Sequence, residues 1–179
     1  MISILVVFYL FVFLFAVIGA MRSWAKEMLV IFGVILSLAF IAVLERYIPG
    51  VAPLMRSNER IQFWLRISIL LFMVFFAYQT PRLTRFAAAA ERRDRIQDLM
   101  LGFIMGAFSG YFVIGTIWSF AHSANYPFGN WIQPPTTQMP LGEAALSLVN
   151  YLPPVWLGQE PTIYIITVLA FIFVIIVFI

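Results

Sequence analysis

Cysteine is absent from the 179 residues of this chain. That absence excludes disulfides, thiolate metal sites, iron–sulfur clusters and cysteine nucleophiles. Charge is scarce as well. Asp, Glu, Lys and Arg make up 11% of the residues and hydrophobic types 63%, against about 25% and about 45–50% in an ordinary soluble domain. Histidine occurs once, at His122. A glycine-rich nucleotide loop, a GxSxG elbow and an HExxH pair are all missing, and the chain is expected not to be an enzyme. Basic residues are missing before Arg22 and after Arg95. The net charge of +3 therefore sits in short clusters between apolar runs. It is not the footprint of a nucleic-acid surface. Such clusters act as orientation signals and headgroup contacts.

What fills the chain instead is long apolar sequence. A helix crossing the hydrocarbon core needs about 20 mostly apolar residues. Ile2–Ala20 supplies the first, and Met28–Leu44 a shorter second. The third runs from Ile61 to Tyr78 and includes Arg66, whose stem is expected to lie along apolar surface while its head snorkels outward. Leu99–Ala121 is the fourth and Thr162–Ile179 the fifth. The first run follows no basic region and is too long for a signal peptide, so it reads as a retained helix. Backbone polar groups in hydrocarbon must be satisfied within helices or closed barrels. The fold class is therefore all-α: a polytopic transmembrane helical bundle of about five spans plus one short amphipathic surface helix.

Two connecting segments have structure of their own. Leu83–Asp98 is rich in helix formers and has a Glu91–Arg95 pair at i, i+4, so it predicts a solvated helix leading into the fourth span. The segment His122–Pro161 is rich in Pro, Gly and Asn and has no Lys or Arg. Within it Leu141, Ala145, Leu148, Val149 and Leu152 recur at helical spacing, with Glu143, Ser147 and Asn150 opposite. That pattern predicts a helix near 140–152 lying along the membrane surface and stopped by Pro153–Pro154. Trp118, Trp131 and Trp156 are expected at the interfaces. Seven basic residues fall in the first and third connections together, against four in the second. The positive-inside rule then places the N-terminus outside and the C-terminus in the cytoplasm.

Few residues suggest chemistry. Gly102, Gly106 and Gly110 form a groove along one face of the fourth span. Such a groove serves either self-association or packing inside the bundle. No Asp, Glu, Lys or His is expected deep within a span, which disfavours proton relays and ion-coupled transport. His122 is a weak candidate for binding a tetrapyrrole metal, because a neutral imidazole is a common ligand. No cofactor is otherwise expected.

The chain resembles the colicin V production protein (CvpA) family of bacterial inner-membrane proteins. GAMRSWAKEMLVIFG, from Gly19 to Gly33, is similar to that family's Gly-x-x-Arg-Gly-x-x-Arg-Glu turn, with Arg22, Lys26 and Glu27 matching by type and Ser23 in place of a glycine. Asp98 followed by Gly102, Gly106 and Gly110 is similar to its Asp-Arg-x-x-Gly-x-x-x-Gly-x-x-x-Gly stretch, with Leu99 in place of the arginine. Trp131, a proline-containing stretch, the amphipathic helix and Leu152–Pro153 resemble its tail. The likeness covers residues 2–154. It implies a four-span domain over 1–154, to which 155–179 adds a further C-terminal transmembrane helix. It also implies a multi-pass protein of the bacterial inner membrane whose partners are the lipid bilayer and other integral membrane proteins, in a homo-oligomer or a larger complex. The function implied is non-enzymatic: helix–helix contacts in secretion or envelope processes, or scaffolding. The alternative is an accessory subunit of a respiratory or photosynthetic electron-transfer complex. A channel or transporter has the least support.

Overall fold

A computed structural model describes residues 3–22, 24–79, 95–128, 132 and 134–178. The helix expected over 83–94, and Trp131, lie outside the described residues. Eight helices are described: α1 (Ile4–Arg22), α2 (Trp24–Tyr47), α3 (Val51–Ser57), α4 (Glu59–Tyr78), α5 (Arg95–Ser123), α6 (Gly142–Val149), α7 (Pro153–Leu157) and α8 (Thr162–Phe178). Four of them, α1, α2, α4 and α5, are long and apolar enough to cross a membrane. The pair α6–α7, bent by 68° against α8, makes a fifth if counted as one broken span. The chain is a multi-pass helical bundle.

Local chemistry sets several boundaries. Asn58 caps α4, its side chain accepting from the backbone N–H of Arg60 at 2.9 Å and of Ile61 at 3.3 Å, and Glu59 adds negative charge to that first turn. Gly50, at φ 97°, makes the left-handed turn between α2 and α3 that a side chain would resist. Pro153 and Pro154 start α7 rather than stopping the chain. At the first helical positions a missing N–H costs nothing and the fixed φ is already helical.

The bundle is organised around α5. Helix α1 runs antiparallel to it along the glycine groove, with Phe8 against Trp118 at one end and Gly19 against Gly102 and Gly106 at the other. A Cβ on Gly19 would stand 2.5 Å from the Gly102 carbonyl oxygen, and one on Gly106 would collide with the Phe15 carbonyl. Without a hydrophobic drive between helices in lipid, such close approach supplies the van der Waals packing that holds them. All three glycines of the groove face α1 of the same chain. Helix α2 runs parallel to α5, while α4 and α8 lie antiparallel to α2, with Gly33 against Met73 and Ala77 and Phe32 edge-on to Phe171. Val30, Val34, Leu70, Leu152 and Ile163 are fully buried among these helices.

The segment before α8 differs from the sequence-based expectation. Helix α6 is amphipathic as expected, with Ala145 and Val149 buried and Glu143, Ser147 and Asn150 exposed. The chain does not stay at the surface after it. Leu152 and Pro153 pack into the notch at Gly115, about 12 Å along the α5 axis from Ser123. Tyr111, deeper still, donates its hydroxyl to the Tyr151 carbonyl. Non-helical backbone at such depth is tolerated where protein satisfies it. Trp118 is buried and donates to the Tyr126 hydroxyl at 3.0 Å.

Replacing Gly106 by leucine should separate α1 from α5. The expected cost is about 1–3 kcal/mol or more, read as a lower unfolding temperature in detergent and an earlier-eluting, expanded species. An unchanged unfolding temperature would show that the groove does not hold the helices.

Candidate functional site

Two polar centres lie at opposite ends of the bundle, both on the face where α2 meets α5. The first follows from the tightness of the α1–α2 connection. Helix α1 ends at Arg22 and α2 begins at Trp24, so Glu27 lies in the first turn of a helix inside the bundle, not in a loop. Its side chain is 1% exposed. The sequence places Glu27 in the connection before the second span; the structure buries it in the first turn of α2. By hydropathy the second span begins at Met28, one residue beyond Glu27.

The carboxylate has two partners. Arg22 Nη1 donates to Oε1 at 3.3 Å, and Ser109 Oγ donates to Oε2 at 2.6 Å. Ser109 is about 15 Å along the axis from the Leu99 end of the fourth span, so Glu27 reaches inward. The 2.6 Å separation is a short hydroxyl–carboxyl hydrogen bond. The Arg22 guanidinium carbon stands 4.2 Å from the centre of the Tyr78 ring, which spreads part of its charge onto an aromatic face. Arg22 is itself only 23% exposed.

The second centre is a pocket of about 490 Å³ lined by apolar residues such as Leu38, Ile41 and Phe120, together with Glu45, Arg66, Ser119, Ser123, Arg46 and Glu160. It joins an apolar wall to a few converging polar groups. The Arg66 head reaches residues at the ends of α2 and α5. Its Nε and Nη2 both reach Glu45 Oε1 at 2.9 Å and its Nη1 donates to Ser123 Oγ at 3.1 Å. Arg46 pairs with Glu160, tying the end of α2 to the chain ahead of α8. Beyond the end of α5, Asn125 Nδ2 donates to Glu59 Oε1 at 2.6 Å. Asn125 and Tyr126 both take positive φ, a strain of about 1–3 kcal/mol each that the buried Tyr126–Trp118 bond helps to hold. Burial pushes the Tyr126 hydroxyl up from its ordinary pKa, and the bond from Trp118 offsets part of that.

The residues singled out from the sequence are distributed unevenly over these centres. Gly19, Gly102 and Gly106 meet one another, and Arg22 and Glu27 meet beside them. Gly110 packs on the Phe15 side chain. Lys26, next to Glu27 in sequence, is half-buried. Asp98 lies on the same α5 face as the glycines, with a buried Oδ1 that finds no hydrogen-bond partner among the described residues. His122 is exposed, its ring 5.8 Å from that of Tyr126 and Nδ1 3.4 Å from the Tyr126 hydroxyl. No group of three metal-ligating side chains forms among the described residues. The polar pocket was missed from sequence. Two spacings point to it: Glu45 lies eighteen residues beyond Glu27, five helical turns along one face, and Ser109, Thr116 and Ser123 recur every seven residues along α5.

Compared with family models, with curated proteins and with solved structures, the chain matches none.

Breaking a buried pair by removing one member leaves the other charge uncompensated, at about 3–5 kcal/mol. Glu27→Ala is therefore expected to lower the unfolding temperature in detergent more than Glu27→Gln, whose amide keeps one oxygen to accept from Arg22 and an N–H to donate to Ser109 Oγ. Equal losses in the two variants would show that hydrogen bonding at Glu27 contributes little.

Proposed function

We propose that this chain is a non-enzymatic integral membrane protein of CvpA type, which works through contacts with other membrane proteins in secretion or envelope processes or as a scaffold. One observation carries the reading. The two stretches on which the resemblance rests, Gly19–Glu27 and Asp98–Gly110, are about eighty residues apart in sequence and meet in space. Gly19 lies against Gly102 and Gly106, and Glu27 accepts from Ser109. Two short motifs that serve one another form a single device: a glycine seam locked by a buried charge. That device holds a helical hairpin rigidly on α5 and turns the remaining faces outward. Tyr9, Leu10 and Phe13 on α1 and Phe72, Phe75 and Phe76 on α4 are exposed apolar residues, suited to lipid or to neighbouring helices. The placement proposed is the bacterial inner membrane. The basic residues at the hairpin end and in the segment beyond α4 put that end in the cytoplasm under the positive-inside rule, with the N-terminus outside and the C-terminus inside.

The alternative of an accessory subunit in a large electron-transfer complex draws on α8. That helix packs chiefly on α2 and leaves Ile165, Val168, Leu169, Ile172 and Ile176 exposed, a ridge that a larger assembly could cover.

Native gel electrophoresis of mildly solubilised membranes, with identification of the co-purifying polypeptides, separates these readings. A small assembly of this chain with secretion or envelope proteins is the expected result. A discrete large assembly of redox subunits would favour the alternative. Migration of the chain by itself as a monomer would sink the proposal.

A further inference from the structure

The pocket at the ends of α2 and α5 has its charged groups at one level and its apolar wall at another. Helix α2 has 24 residues, about 36 Å at the helical rise, against a hydrocarbon core of about 30 Å. Its last turn therefore stands at headgroup level. Glu45 and Arg46 lie on that turn, and Ser123 ends α5. Glu160 lies on the chain just ahead of α8. Leu38 is about 10 Å further in along α2. Ile41, Ala42, Phe120 and Val155 continue the apolar wall. The pocket is open, not enclosed. A charged mouth over an apolar wall suits an amphiphile, with its head at the interface and a hydrocarbon chain toward the core.

The charges at the mouth balance. Arg46 and Arg66 face Glu45 and Glu160. Much of their bonding capacity is used internally. Arg66 directs Nε and Nη2 to Glu45 Oε1 and Nη1 to Ser123. Glu160 receives Arg46 on Oε2 and the Tyr164 hydroxyl on Oε1. What is left over has both signs. Glu45 Oε2 accepts no bond among the described residues, and the side chain is 30% exposed. Arg46 gives Nη1 to Glu160 and is 56% exposed, which leaves the rest of its N–H donors to the pocket. A phosphate alone would meet Arg46 beside two carboxylates. An amine alone would meet Glu45 beside two guanidinium groups. A head that carries phosphate and ammonium together matches both. The ammonium must have N–H donors, because a quaternary one is held by a cage of aromatic faces. Among the described residues the pocket offers a single ring, Phe120, which already has the Arg66 guanidinium carbon 5.7 Å from its centre.

We infer that this pocket binds one phospholipid with a phosphoethanolamine head. The ammonium sits on Glu45 Oε2, the phosphate on Arg46, and one acyl chain lies along Leu38, Ile41 and Val155. Arg66 and Ser123 hold the Glu45 carboxylate in place and are positioning residues. A lipid so bound joins the end of α2 to the α7–α8 segment. The site does not depend on the proposed protein partners, so failure of other polypeptides to co-purify leaves it standing.

The full chain, delipidated in mild detergent, is mixed with dioleoyl phosphatidylethanolamine, phosphatidylglycerol or phosphatidylcholine. Bound lipid is read by native mass spectrometry. The expected result is one retained phosphatidylethanolamine, with an apparent affinity about tenfold above the other two, the worth of a hydrogen bond to a charged group. Equal retention of the three lipids, as in an unselective lipid shell, overturns the inference. Soluble glycerophosphoethanolamine should not compete at equal concentration. Competition as strong as that of the lipid would show that the apolar wall contributes nothing and that a lipid is the wrong ligand. Glu45→Gln, which keeps an acceptor for Arg66, and Arg46→Gln should each abolish the preference, and a preference undiminished in either overturns the assignment of the head. Location is read on the unaltered chain, without reliance on a variant's folding. Phosphatidylethanolamine with a diazirine on one acyl chain near the glycerol should cross-link within 38–42 or 154–158. Cross-links confined to other segments overturn the site.

Discussion

The close approach of α1 to α5 is the constraint on which the other arrangements rest. In lipid two apolar helices gain nothing by leaving the solvent, because the solvent is as apolar as they are. They adhere where backbones can touch. Gly19, Gly102 and Gly106 allow that contact, and no residue with a Cβ could stand at those positions without displacing backbone. Once α1 is seated, the tight connection from Arg22 to Trp24 leaves α2 little choice of position. It must rise beside α5 with Glu27 turned into the interface.

A carboxylate in that position would be unfavourable alone, since desolvating an ion costs several kcal/mol even after relaxation. Arg22 from the preceding helix and Ser109 from the facing one supply the compensation. Glu27 in turn ties three helices together, so polar and steric complementarity reinforce each other at one end of the bundle. At the other end the logic is looser. Arg66, Glu45 and Ser123 form a bonded group, yet they border a pocket instead of filling it. One end is closed by packing, and the other leaves a pocket.

The segment between α5 and α8 illustrates where local reading misleads. Its composition is that of a loop, and Pro153–Pro154 looks like a terminator. Proline ends a helix that precedes it but begins one that follows, and Pro153 finds its place against Gly115. The notch exists because α5 has a glycine there. The proline run and the glycine are 38 positions apart, and neither signals the other in a local window.

The all-helical class, the number and approximate limits of the spans, the side on which basic residues cluster and the glycine groove all follow from the chain alone, because hydropathy and small-residue spacing are sums over neighbouring positions. What the groove faces, and the burial of Glu27, do not. Ser109 meets Glu27 across 82 residues and Arg66 meets Ser123 across 57, and such meetings are decided by which helix faces can approach. The turn at Arg22–Trp24 placed an acid inside the bundle that linear reading assigned to a loop. The parallel packing of α2 on α5 put two acids, five turns apart, at the two ends of a largely apolar shared face. Whether a side chain is wet or buried is a property of the assembled bundle, and only the tertiary structure could settle it.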